Sequence, residues 1–149
     1  MKLRALAIVA LVGCAHPVSV TTAAGFVEID TDLPSWAYRA ATADGVVVGV
    51  RVVDASEGDL AFWTRAVTAE LRDGKGYALR DARPLLSQDG VGGTELRFEH
   101  DQGGRRFAYW VALFPRGAEL VVAEAGGVEA SFERARPSVE SMLASVQVR

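Results

Sequence analysis

Cys14 is the only cysteine among 149 residues, and it directly follows Leu11-Val12-Gly13 at the end of the apolar run from Ala5 to Val12. One thiol cannot close a disulfide within its own chain. Nucleophilic catalysis by a thiol or a serine needs a neighbouring base, and the chain holds only two histidines, His16 and His100, and no Gly-x-Ser-x-Gly elbow. His100 and Asp101 are adjacent within an alternating run, so as strand neighbours they point to opposite faces and do not form a dyad. Two histidines and one cysteine are too few for a His/Cys zinc site. No enzymatic activity, metal or cofactor is therefore expected.

The residues around Cys14 carry a different chemistry. Met1 to Arg4 includes two positive charges, Lys2 and Arg4, ahead of eight apolar residues. Eight residues span only about 12 Å as a helix, against roughly 30 Å of bilayer hydrocarbon, so this run is too short to cross a membrane. A basic start, a short apolar run and a small residue at the end have the anatomy of a cleavable export signal. Leu11-Val12-Gly13-Cys14 resembles a bacterial lipobox. That resemblance implies that Leu11 and Gly13 direct signal-peptidase cleavage before Cys14. Cys14 would then carry diacylglycerol on its sulfur and a further acyl chain on its amine. Two or more chains hold a protein on a membrane where one does so only marginally. Ala15 is not aspartate, so the implied destination is the outer membrane in a Gram-negative cell and the plasma membrane otherwise.

Without Lys2 and Arg4 the basic residues fall from 16 to 14 against 19 acidic ones, a formal charge of −5, which gives no footing for nucleic acid. Residues 1–13 are expected to be the signal peptide, 14–25 a lipidated cysteine and flexible tether, and 26–149 one domain. Its 124 residues suffice to bury a core without covalent staples.

Within that domain, Phe26–Asp30 is predicted as a short strand ended by Thr31–Ser35. Asp44-Gly45 predicts a type I′ hairpin between Trp36–Ala43 and Val46–Asp54, the second arm being internal to a sheet. Ser56 is predicted to cap a helix in which Leu60, Trp63, Val67 and Leu71 form one apolar stripe, with Gly74 as its stop. Tyr77–Ala82 is a strand that Pro84 confines to an edge or breaks. Thr94–Asp101 alternates most clearly, with Leu96 and Phe98 facing inward and Glu95, Arg97, Glu99 and Asp101 predicted as a solvated face. Arg106–Phe114 is apolar on both faces and is predicted as the central strand, followed by Ala118–Ala125. Ala130–Val146 closes the chain as a helix that Pro137 kinks or restarts.

This order of elements resembles the Mog1/PsbP-like family. The resemblance covers about Phe26 to Arg149 and leans on Trp36, the helix around Trp63, the Gly92-Gly93 to Phe98 strand and the Phe132–Val148 segment. It implies an α+β domain, an antiparallel sheet packed with two helices. It also implies a non-catalytic module of the extracytoplasmic envelope that attaches to larger protein assemblies. The expected partners are the membrane, through lipid on Cys14, and an envelope protein. A carrier of a small apolar or lipid ligand is the alternative expectation, since sheet and helix could part around a pocket.

Overall fold

The structure, a computed structural model, describes residues 18–30 and 34–149. Its elements run β1 (Val27–Glu28), β2 (Tyr38–Ala41), β3 (Val47–Asp54), α1 (Leu60–Ala69), β4 (Ala78–Leu86), β5 (Gly92–Gln102), β6 (Arg105–Arg116), β7 (Glu119–Val128) and α2 (Glu129–Ala144). The strands form one seven-stranded antiparallel sheet in the order β1-β2-β3-β7-β6-β5-β4. The predicted α+β class, an antiparallel sheet with two helices, is the one observed. No described helix is long and apolar enough to cross a membrane.

Two meanders, β1–β3 and β4–β7, are joined where β3 pairs with β7. That makes β7 the middle strand and places β6 next to it, correcting the expectation that Arg106–Phe114 is central. Pro84 lies within β4, which is an edge strand, so its missing N–H leaves no gap in the ladder.

Turn chemistry differs in detail from the prediction at one hairpin. Gly45 N donates to the Thr42 carbonyl and Thr42 N to the Val46 carbonyl, while Gly45 alone takes a positive φ of 89°. Asp44 stays in ordinary backbone space, so this is a three-residue loop closed by a left-handed glycine, not a type I′ turn.

Asp59, not Ser56, caps α1, its Oδ1 accepting from Phe62 N at 2.7 Å. The apolar stripe is as predicted: Leu60, Trp63 and Val67 pack on the sheet, and Leu71 is buried in the π-helical turn Glu70–Gly74 that ends the helix. Gly74 does close the helical segment, but the left-handed residue is Gly76. On the other face α2 runs through Pro137 as one helix, burying Phe132, Val139, Met142 and Leu143. Val46, Val48, Val50, Trp110, Phe114 and Val121 complete that larger core.

Residues 18–25 are not a tether. Val18 is 3% exposed, and Val20 and Ala23 pack against the same core. Ser19 and Gln147 exchange backbone hydrogen bonds (2.9 and 3.4 Å), and Thr21 N donates to Ser145 Oγ at 2.9 Å. Valines spaced two apart supply the extended pattern that docks there. Residues 14–17 lie outside the described residues.

The segment after α2 is itself pinned. Asp89 accepts from Val148 N and Arg149 N, each at 3.0 Å, and from Ser87 Oγ at 2.7 Å. The Ser87 hydroxyl, followed by these backbone N–H groups, holds the Asp89 carboxyl down at about 2. A depressed carboxyl stabilises the fold above its unfolded value of about 3.9 and loses that contribution as pH falls through the folded value. Asp89→Asn is therefore expected to lower Tm at neutral pH and to speed exchange of the Val148 and Arg149 amides. The difference from wild type should shrink below about pH 4 and vanish only below about 2, as thermal melts across that range will show.

Candidate functional site

The residues that sequence chemistry singled out, Leu11, Gly13 and Cys14, lie outside the described residues, as does His16. His100 is half-buried on β5, stacked on Tyr77 with ring centroids 4.4 Å apart and planes at 15°. Asp101 turns away to pair with Arg106 at 3.5 Å. The two side chains thus diverge, as strand geometry requires. Among the described residues no group of three or more His, Cys, Asp or Glu side chains is placed to hold a metal ion.

Glu95 and Arg97 are a correction. They were expected on a solvated face, yet Glu95 is 1% exposed and the Arg97 side chain 11%. α2 lies over this end of the sheet, and its Glu140 accepts from Arg97 Nη2 at 3.0 Å. Glu95 accepts from Arg83 Nε at 3.1 Å and from Arg97, whose guanidinium lies 3.5 Å from the centre of the Trp110 ring. Burial pushes the Glu95 carboxyl up from its ordinary range, and the Arg83 charge pulls against that. The signal was present in the chain: Arg97 pairs with Trp110 across β5 and β6, and cross-strand partners share a face. A face that carries Trp110 and Phe114 is covered, so its charged members must be paired.

An apolar cleft lies on the opposite face. No residue of α1 is fully buried: the helix rests on β5 and β6, packs Leu60, Trp63 and Val67 in one cluster with Leu120 and Val122 of β7, and leaves Arg51, Val53 and Glu124 partly open beside it. Between helix and sheet runs a cleft of 410 Å³, with Trp63, Ala66, Val67 and Leu71 on one wall and Val53, Val111, Leu120 and Val122 on its floor. This volume is within the range of ligand clefts, and the lining is mainly apolar with a few polar groups.

Those polar groups converge. Glu124 Oε1 accepts from Arg51 Nη2 at 3.0 Å and from the Tyr109 hydroxyl at 2.7 Å. Burial, then the Glu124 charge, push the Tyr109 phenol far above its ordinary value, so it stays a neutral donor across the physiological range. Arg51 Nε is buried and has no acceptor. A buried, unspent N–H is costly, and an acceptor brought in by a ligand would satisfy it. Beyond this triad a second hollow of 370 Å³ continues the surface, sharing Tyr109 and Glu124. Trp36 lies across Gly49 there, where a Cβ would come within 2.5 Å of its ring, and the Arg39 and Arg51 guanidiniums sit 5.5 and 5.7 Å from it. Sequence reading placed Arg51, Tyr109 and Glu124 on strands without giving them a role. The available signal was opposite charges within otherwise apolar interior strands.

Solved structures of similar shape fit this architecture. A cyanobacterial PsbP from Synechocystis matches with a TM-score of 0.60 at 12% identity, over 90% of this chain and 88% of that one. LpqN of Mycobacterium tuberculosis, described as involved in cell envelope biogenesis, matches at 0.68 and 10% identity, over 87% and 82%. A Pseudomonas aeruginosa protein of unknown function matches at 0.55 and 16% identity, over 88% and 83%. The fold is therefore Mog1/PsbP-like. No protein-family model and no curated protein sequence matches the chain.

Removing one partner from a buried ion pair destabilises by about 3–5 kcal/mol, because the other charge is left unpaired. Arg97→Ala leaves Glu95 paired with Arg83 and is expected to cost less than that in urea denaturation, about 1–3 kcal/mol, whereas Arg72→Ala, in an exposed pair with Asp73, should leave the urea midpoint unchanged.

Proposed function

We propose that this protein is a lipid-anchored, extracytoplasmic accessory module that docks an envelope protein through the cleft between α1 and the sheet, without catalysing a reaction. The observation that carries the reading is the cleft itself: an apolar hollow beside a helix that has no fully buried residue, with one unspent donor at Arg51. A side chain or short segment of a partner bearing a carbonyl beside apolar groups satisfies both features. Location is supported by the residues before the domain, where Leu11 and Gly13 mark cleavage and Cys14 takes the lipid. The likeness to a mycobacterial protein involved in cell envelope biogenesis supports the same compartment.

A second reading is favoured by the same apolar lining: a small apolar ligand carried in the cleft. The two differ in what leaves the cell with the protein. Native mass spectrometry of the purified domain would show a ligand of fixed mass in the second case, and none in the first.

Cys14→Ala is expected to block processing and lipid labelling and to release the protein from membranes; unchanged retention would defeat the anchoring. Ala66→Glu places a charge in the cleft wall without emptying the core. After chemical cross-linking of intact cells, that variant should recover the partner at least tenfold less than wild type while keeping its Tm within a few degrees. Equal recovery would remove the cleft from the reading.

A further inference from the structure

The chain enters the domain at one end of the sheet, and several connections mark that end. Ser19 pairs with Gln147, Gln88 N donates to the Val146 carbonyl at 2.8 Å, and Ala55 N donates to the Ala118 carbonyl at 2.8 Å. Arg116 Nη1 reaches the Val148 carbonyl at 3.4 Å. This end therefore gathers the first described residues, the segment after α2, the β4–β5 and β6–β7 turns and the loop before α1. The opposite end carries the β2–β3 and β5–β6 turns, as strand direction dictates.

Two large apolar side chains stand exposed at the entry end. Leu86, the last residue of β4, is 65% exposed, and Phe62, in the first turn of α1, is 42% exposed. From Cys14 to Val18 the backbone reaches at most about 14 Å, whatever its conformation. That is about half the thickness of the hydrocarbon core alone.

We infer that the entry end is a membrane-contact surface, with Phe62 and Leu86 seated at the headgroup boundary and the β2–β3 and β5–β6 turns pointing away. The inference rests on the anchoring of Cys14 and goes beyond it, since a lipid on a long tether would impose no orientation. Each apolar side chain placed in the boundary contributes by the area it removes from water. Asp54, Glu57, Asp59 and Asp89 at this end outnumber its basic residues, so zwitterionic lipid is the fitting surface and anionic headgroups are repelled. The cleft, which runs along the sheet face from Leu120 towards Lys75, then opens sideways, parallel to the bilayer, where a neighbouring membrane-bound protein can reach it.

The test is paramagnetic relaxation on the isotope-labelled, lipidated protein in phosphatidylcholine nanodiscs that carry a nitroxide headgroup. Amides of residues 56–58, 88–90 and 147–149 are expected to relax at least fivefold more than those of 43–45 and 102–105. Equal or reversed effects would overturn the orientation. The Phe62→Ser/Leu86→Ser double variant, which alters only exposed side chains, should reduce the effect at the entry end at least twofold; no reduction would strip those residues of the role. Intact mass separates the two claims. Protein without a diacylglyceryl group at Cys14 fails the anchoring itself, and coupling a maleimide phospholipid to Cys14 still reads the orientation.

Discussion

The pairing of β3 with β7 is the constraint on which the rest depends. It joins two meanders that are each closed by short local turns, and it runs without interruption over eight residue pairs from Val47↔Gly126 to Asp54↔Glu119. One face of these two strands, Val48, Val50, Val121, Ala123 and Ala125, is the floor of the larger core under α2. Their other face, Arg51, Val53, Leu120, Val122 and Glu124, is the floor of the cleft. Because side chains alternate at each residue, slipping this register by one would exchange core for cleft. Core stability and cleft geometry are thus one property of one strand pair.

The two helices use the sheet unequally, and that inequality creates the cleft. α2 buries four large apolar side chains and adds Glu140 to a buried charge network on Trp110, leaving on its face a smaller hollow of 260 Å³ with a mostly charged rim. α1 is shorter, has no fully buried residue and leaves a cleft of 410 Å³ between itself and the sheet. A preformed apolar surface with few fixed polar groups loses little entropy on docking.

Much of the architecture was legible because it follows from local rules. The strand alternations, the Leu60–Leu71 stripe and the edge position forced by Pro84 all follow from periodicity or from a missing N–H. The errors share a cause: each concerned what lies over a residue, which periodicity does not state. Glu95 and Arg97 read as solvated because alternation within β5 carries no sign of α2, whose Glu140 lies over them. Residues 18–25 read as a tether because small polar residues conceal the alternating valines that dock beside Gln147. The cleft was illegible for the same reason, since Arg51, Tyr109 and Glu124 come from three strands that meet only through the β3–β7 and β6–β7 registers.

The central claim is that the cleft beside α1 is where a partner docks. Site-specific photo-cross-linking in living cells tests it most directly, with a photoreactive residue placed at Ala66 in the cleft wall or at Glu133 on the exposed side of α2. A discrete protein adduct from position 66 and none from position 133 is the predicted result. An adduct from 133 alone, or equal adducts from both, would contradict the account.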